Sequence, residues 1–549
     1  MKKKEEPLTK IWREYQKCKD YLDKKSLIKK TDENWNFYIG DQWSGVEAGG
    51  ERLPVLNFIE PVIKYKVGVV SQNLMTAVYY DLNSSQESHQ ICEILNKLFS
   101  ESWEKGKMNA TAWEIIEAAA VQGDSYAFWG ECDSKVPPQV LANTTVLLAD
   151  ENITDIQAQP FVMIVERLDV KHVRKLAKDN GLSEDEIELI TSDDNKDVQI
   201  VNKDEVTDKV TSVLCMSKNA DGYVEVARST KNVIYEPSHV VQPTKKDDGE
   251  YIGTGLKSYP IVPFIWKKRP NYARGVSEVA QLIPNQLEVN KTLARRSMTV
   301  KLTAYPRIAY DRNAVTNPED LDKTGAPIEV NGGAQSVNQM VSYLNATNIS
   351  SDADKLLSDL LSMSRELAGA GDYATGNVNP EQASGQAILA VRDQAQIPLN
   401  KQISQYQQFV EDVALLFFDI WVAFNPDGLV YEASLEEEAE PLMPMDTIIP
   451  IKQVEAIRPS VRVDVSQDSA WSKLAEQQWL DNVFARQQIT FEEYVELCNN
   501  NAVPKAKLQA VLKKRQALQQ QQGQQQMMMQ GQQIPQGSSQ EIPQEIQMG

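Results

Sequence analysis

The chain has 549 residues, of which 42% are hydrophobic, and a net charge of −20. Its length allows about three or four folded units. Its excess of acidic residues argues against a protein that binds nucleic acid over a broad surface, because such proteins are usually basic. The most apolar run, Val413 to Phe424, is interrupted by Asp419 and is shorter than the ~20 residues that span a bilayer. No apolar segment follows the charged start, so we expect no signal peptide and a protein kept in the cytoplasm.

Residues that could carry catalysis or bind a metal show no recognised spacing. Gly253-Thr-Gly255 has Ser258 where a dinucleotide fingerprint needs its third glycine, and no GxxxxGK[ST] occurs. The three histidines are far apart. The cysteines, which have no CxxC spacing, are expected to be buried reduced thiols; they are Cys18, Cys92, Cys132, Cys215 and Cys498. We therefore expect no enzyme, no metal and no cofactor.

The first part of the chain is predicted to be helical, because its apolar residues recur at helical spacing. The predicted helices are Leu8–Lys30, a short helix capped by Thr31 and ending at Gly40, Asn57–Gln72, His89–Lys105 and Asn109–Gln122. The period then changes to that of strands. The predicted strands are Ser125–Cys132, Val140–Leu148, Phe161–Arg167, and a hairpin of Val210–Met216 and Tyr223–Arg228.

Two short helices are predicted among these strands. One is Val170–Asn180, and the other begins at the capping box of Ser183 and Glu186. An acidic loop, Asp193–Asp208, is expected to be mobile. The predicted fold class is therefore α+β, mainly helical.

Helices are again predicted after Gly275, interrupted by an irregular insert. They are Val276–Leu302 with a kink at Pro284, Ser350–Ala368 ended by Gly369, Ala383–Gln396, and an apolar helix from Pro398 to Phe424. The insert contains strand-like Arg307–Tyr310 and Pro327–Val330. A strand at Val461–Val465 and helices from Ala470 to Gln519 follow. The Gln-rich tail, Gln519–Gly549, is predicted to be disordered because it is poor in residues that form a core.

Four segments in order resemble the portal proteins (head-to-tail connectors) of tailed bacteriophages. They are NWNFYIGDQW at Asn34–Trp43, RLPVLN at Arg52–Asn57, GVSE at Gly275–Glu278 with a long helix through Gln286 and Asn290, and ASGQAI at Ala383–Ile388. The resemblance covers about residues 10–515. Residues 134–260 carry no motif of this family and are assigned by position only.

The resemblance implies a portal-type architecture of wing, stem, clip and crown. The implied regions are a wing at 1–274, a first stem helix at 275–304, a clip at 305–348, a second stem helix at 349–368, a tunnel loop and kinked helix at 369–400, a wing return at 401–465, a crown at 466–518 and the tail at 519–549. Any helical hairpin with a long insertion would give the same pattern of elements.

The resemblance also implies a function. It implies a ring of twelve subunits at one capsid vertex, assembled in the host bacterial cytoplasm, through which double-stranded DNA is packaged and ejected. The expected partners are further copies of the chain, DNA held transiently, a terminase ATPase, capsid and scaffolding proteins, and head-completion or tail adaptor proteins. No membrane is expected. Another phage structural or adaptor protein, or a helical scaffold, is the alternative, and an enzyme ranks third.

Two sets of residues are candidates for the DNA channel. The loop residues are Asp372, Tyr373, Thr375, Asn377 and Asn379, whose nearly uncharged character suits brief contact with a sliding duplex. Lys291 and Arg295 lie four residues apart on the first stem helix. They could form positive rings near DNA or pair with carboxylates of a neighbouring subunit, and we favour the pairing.

Overall fold

The computed structural model describes residues 7–46, 53–81, 86–193, 208–242, 255–304, 307–321, 323, 325–331, 341–344, 351–367, 369, 397–425, 428–432, 446–457, 459–467 and 479–486. The chain divides into two compact units, Met1–Ser466 and Gln467–Gly549, and the site below lies in the first. The structure is about 51% helical and 20% strand. Its two larger sheets are antiparallel. This composition is compatible with the predicted α+β class.

Helices dominate the start of the chain, as predicted. The elements are α1 Pro7–Lys25, α2 Leu27–Ile39, α3 Ile59–Ser71, β1 Asn73–Tyr80, α4 Gln86–Lys105 and α5 Met108–Gln122. The prediction of one helix from Leu8 to Lys30 is wrong, because Ser26 adopts a left-handed φ of 52° and α2 begins at Leu27. Thr31 is buried inside α2 and is not its cap.

The break at Ser26 has a tertiary cause. Leu22 of α1 packs on a sheet, while Phe37 of α2 packs in the largest core. The chain must turn between these two surfaces. The predicted end of α2 at Gly40 is confirmed, with a left-handed φ of 93° that glycine adopts without strain.

The middle of the chain forms two sheets and two helices. The elements are β2 Asp124–Phe128, β3 Gln139–Ala142, β4 Val146–Leu148, β5 Phe161–Asp169, α6 Val170–Asp179, α7 Glu184–Glu188, β6 Lys209–Lys218, β7 Val224–Ser229, β8 Ile234–Val240 and β9 Ile261–Ile265. The sheet orders are β4-β5-β6-β7-β8 and β3-β2-β9. The predicted hairpin is confirmed as β6 and β7, and the capping box of Ser183 and Glu186 is confirmed at α7.

One prediction about strands in this region is wrong, and two strands were missed. Val140–Leu148 is not one strand, because a turn splits it into β3 and β4, which belong to different sheets. β8 and β9 were not predicted. Pro237 and Pro263 lie in these strands, and a proline within a run argues against a strand assignment in a sequence.

The remaining described elements are a long helical hairpin and the return of the chain to the core. They are α8 Val279–Ala304, β10 Arg307–Tyr310, β11 Val341–Leu344, α9 Ser351–Leu367, α10 Asn400–Phe424, β12 Leu429–Glu432, β13 Asp446–Ile449, α11 Ile451–Ile457 and β14 Ser460–Gln467. The predicted helices 276–302 and 350–368 are confirmed, with shifted ends. Gly369 has the left-handed φ of 71° expected after a helix.

The predicted strand at Pro327–Val330 is wrong, since Val330 forms only an isolated bridge with Val315. Several predictions fall outside the described residues. They are the loop Asp372–Gln382, the helix Ala383–Gln396, the tail, all but the ends of the acidic loop 193–208, and most of the segment 470–519.

α10 forms the centre of the largest core. Val410, Val413 and Phe417 are completely buried in it. Burying a side chain of this kind stabilises a fold by about 1.5–3 kcal/mol. The apolar run that the sequence shows before Phe424 is therefore a core helix, as predicted.

Candidate functional site

The candidate site is the hairpin of α8 and α9 together with the base that joins it to the core. Asn285, near the start of α8, donates a hydrogen bond of 3.0 Å to Oγ of Ser364, near the end of α9. The two helices therefore run antiparallel. At 1.5 Å per residue, the 26 residues of α8 extend about 39 Å.

A short segment, Gly275–Glu278, ties the start of α8 to the end of α5. The Gly275 N–H donates to Asp124 Oδ1 at 3.2 Å, and the Glu278 N–H donates to the Ala120 carbonyl at 3.0 Å. A Cβ at position 275 would overlap the backbone carbonyl of Gly123. The GVSE segment thus requires glycine at its first position because two backbones touch there.

Glu278 is the centre of a buried charge cluster. Its Oε1 lies 2.6 Å from Lys66 Nζ and its Oε2 lies 2.7 Å from Lys267 Nζ. Trp266 Nε1 donates to Oε2 at 3.0 Å. Burial by itself would raise the pKa of Glu278, but the two ammonium groups outweigh it and hold the pKa at about 2. Burial lowers the pKa of Lys66, and the neighbouring Lys267 ammonium lowers it further.

Arg274 closes a second buried cluster beside the first. Its guanidinium contacts the Glu151 carboxylate at 3.0 Å and lies 3.7 Å from Asp124. It also donates to the carbonyls of Asn143 and Val146, on either side of the turn between β3 and β4. The residue that precedes the hairpin therefore also fixes the boundary between the two sheets.

Two buried amides of α8 connect this helix with the GDQW and RLPVLN segments. Gln286 Oε1 accepts from the Phe58 N–H at 3.1 Å, and its Nε2 donates to the Leu56 carbonyl at 2.8 Å. Asn290 Nδ2 donates to Gln42 Oε1 at 2.5 Å, and its Oδ1 accepts from the Leu56 N–H at 3.3 Å. GDQW, RLPVLN and the long helix thus meet at one place.

The outer face of α8 carries the two predicted cationic residues. Lys291 pairs with Glu288 of its own helix at 2.9 Å, and both are exposed, so solvent screens the pair and it adds little to stability. Arg295 is exposed and forms no ion pair with a described residue. After Glu288, α8 has no carboxylate; its cations are Lys291, Arg295, Arg296 and Lys301.

The exposed positions of α9 carry charges of both signs, with Lys355 and Arg365 as well as two carboxylates. Asp359 and Glu366 lie seven residues apart on an exposed face of the helix, and Met363, 59% exposed, lies between them. Met298 of α8 is 63% exposed on the face of Lys291 and Arg295. Beyond Glu288, α8 therefore presents basic and apolar surface, whereas α9 presents apolar surface with charges of both signs.

No family model matches the chain, and no curated protein matches it significantly. Within the described residues, no group of three His, Cys, Asp or Glu side chains could hold a metal ion. No helix in that part of the chain is long and apolar enough to cross a membrane. The four described cysteines are free; Cys92 and Cys132 are buried, and Cys18 and Cys215 are partly buried.

Two groups of residues remain, the predicted loop residues and the charged residues that the sequence did not indicate. The loop residues Asp372, Tyr373, Thr375, Asn377 and Asn379 lie outside the described residues. The buried charges of Lys66 and Arg274, and the partly exposed Lys267 beside them, were missed by sequence reasoning. Only Arg274 carried a signal, because it directly precedes the GVSE segment.

Proposed function

We propose that the chain is the subunit of a portal-type ring, a conduit for double-stranded DNA at a capsid vertex. The observation that carries the proposal is the hairpin, which exposes apolar side chains on both helices, cations on α8 and the carboxylates of Asp359 and Glu366 on α9. Soluble monomers seldom leave large apolar patches exposed, and such patches usually mark an interface. Two different complementary faces on one subunit generate a closed ring when the rotation between copies closes.

The order of elements supports the same proposal. Along the chain, the core is followed by a long helix, by an insert that contains the β10–β11 pair, and by a helix that returns to the same core. Three of the four segments that resemble portal motifs, GDQW, RLPVLN and the long helix after GVSE, meet at the base of the hairpin. A conduit is also compatible with the net charge of −20, since a negatively charged ring repels DNA phosphates and does not hold a sliding duplex.

The first test is the size and shape of the assembly. Native mass spectrometry should give a mass near twelve subunits, and electron microscopy should show a ring with a hole wide enough for a duplex. A monodisperse monomer at micromolar concentration in several salt conditions would contradict the proposal. A large assembly without a central hole would favour the alternative, a scaffold or adaptor protein.

The second test locates the contact between neighbours. Arg295→Glu with Lys291→Glu should weaken assembly, and so should Asp359→Lys with Glu366→Lys, because each pair of changes places like charges opposite one another. All four changes in one chain should restore it. Lys171→Glu with Lys175→Glu on the exposed face of α6 is the matched control. If rings form equally in all variants, the hairpin faces do not meet, although the ring itself would stand.

A further inference from the structure

A cleft of about 770 Å³ lies away from the hairpin, between α10, β9 and the loop at residues 268–272. One wall is the edge of a sheet, because β9 is the outer strand in the order β3-β2-β9. Pro263 lies at the middle of this edge and has no N–H, so its backbone can only accept there.

Further hydrogen-bond acceptors lie inside the cleft. Oε1 of Gln405 is buried and has no hydrogen-bond partner. The Asp412 carboxylate accepts a hydrogen bond of 3.0 Å from Gln408, which lies one turn earlier in α10. Burial raises the pKa of Asp412 to about 6. An unpaired buried acceptor costs free energy, so this interior favours a ligand that brings donors.

Cations surround the same cleft. Lys268, Arg269 and Lys401 line it, and each is exposed. The Arg269 guanidinium lies 4.0 Å from the centre of the Tyr272 ring, which holds it in place by a cation–π contact. Arg269 and Lys401 form no ion pair with a described residue. The border of the cleft therefore favours negative charge.

We propose that this cleft binds an extended acidic peptide segment of a partner protein. The peptide backbone supplies N–H groups to Gln405 and to the edge of β9, as in strand addition, and its carboxylates face Lys268, Arg269 and Lys401. A nucleic acid fits less well, because its phosphodiester backbone brings only acceptors, whereas a peptide backbone brings N–H donors to Gln405 and Pro263. The proposal is independent of ring formation.

The probe is a fluorescein-labelled peptide in which glutamate alternates with valine, so that one side of an extended strand is acidic. Fluorescence anisotropy should detect its binding to the full-length protein. A peptide with lysine in place of glutamate, and a single-stranded oligodeoxynucleotide of similar length, should bind at least about tenfold more weakly, a difference well within the discrimination that complementary charge provides.

Variants of the cleft make the test specific. Lys268→Glu, Arg269→Glu and Lys401→Glu together should lower the affinity for the acidic peptide at least about tenfold. Gln405→Leu should lower it several-fold. Lys171→Glu, Lys175→Glu and Lys178→Glu, on exposed positions of α6, form the control. Circular dichroism establishes that each variant is folded.

Three results would overturn the proposal. They are no binding of the acidic peptide, equal binding of the lysine peptide or the oligonucleotide, and binding unaffected by the cleft variants. Native mass spectrometry of the same samples shows whether the ring forms, so a failure of peptide binding is distinguished from a failure of ring assembly.

Discussion

Among single residues, Glu278 has the most direct effect on how the hairpin is attached, because its carboxylate pairs with the buried Lys66 and the partly exposed Lys267. Glu278→Gln should lower the free energy of unfolding by about 3–5 kcal/mol, since it leaves Lys66 and Lys267 without their counter-charge. Urea denaturation measures the change. Glu288→Gln, which breaks the exposed pair with Lys291, should have a much smaller effect, because solvent screens an exposed ion pair. Equal effects of the two substitutions would contradict the assigned role of Glu278.

The pKa of Glu278 also predicts how stability depends on pH. The folded pKa is about 2, below the ordinary value of 4.5, so the carboxylate stabilises the fold fully above the ordinary value. This contribution should be lost as the pH falls from about 4.5 to about 2. Glu278→Gln should flatten that part of the stability curve relative to the unchanged chain, and identical slopes for the two proteins would exclude this contribution.

Gly275 tests the close approach of two backbones. Gly275→Ala should destabilise the protein by about 3 kcal/mol or more, because the added Cβ meets the carbonyl of Gly123 and backbone cannot move aside as a side chain can. Gly181→Ala is the control; its φ is +80° but nothing lies within 4 Å of an added Cβ. It should cost only about 1–2 kcal/mol of left-handed strain. Similar melting temperatures for the two variants would contradict this packing.

At the scale of elements, α8 is attached along its first half through polar groups as well as through apolar packing. Asn290→Leu should cost about 2–4 kcal/mol, because Gln42 Oε1 loses its donor and the Leu56 N–H loses its acceptor. Gln281→Leu on the exposed side of α8 should change stability by less than about 0.5 kcal/mol. Thermal unfolding compares them, and a neutral Asn290→Leu would show that water replaces this network.

Attachment at one end leaves the other end of the hairpin available to another molecule. Buried hydrogen bonds and charges hold the region from Arg274 to Asn290, whereas the part of α8 beyond Asn290 is mostly exposed. A helix with exposed apolar residues gains stability by packing against another surface. The proposed contact between copies therefore falls where the isolated subunit leaves its apolar surface uncovered.

For the whole assembly, the proposed conduit predicts how added charge affects DNA passage. Thr375→Lys with Asn377→Lys should leave the ring mass unchanged and slow DNA packaging most at low salt, because the added cations hold phosphates. Thr375→Ser with Asn377→Gln is the uncharged control. If the lysine variant packages DNA at the wild-type rate and cross-linkers at both positions do not reach DNA, the predicted loop Asp372–Gln382 does not contact DNA in the channel.

Local sequence was sufficient where neighbouring residues decide the structure. The capping box of Ser183 and Glu186, the hairpin around Asn219–Gly222 and the end of α2 at Gly40 each depend on contacts within a few residues. The amphipathic helices were found for the same reason, since residues three or four apart share a face. Their boundaries moved by a few residues because helix ends depend on the groups that cap them.

Tertiary structure alone decided what distant residues do. Lys66 and Glu278 are 212 residues apart, and Gln42 and Asn290 are 248 apart, so no local pattern marks either pair. The break at Ser26 arises because α1 and α2 pack on different surfaces. Val140–Leu148 is divided because its two halves pair with strands of different sheets. A buried charge or amide is stable only when a partner satisfies it, and the fold chooses that partner.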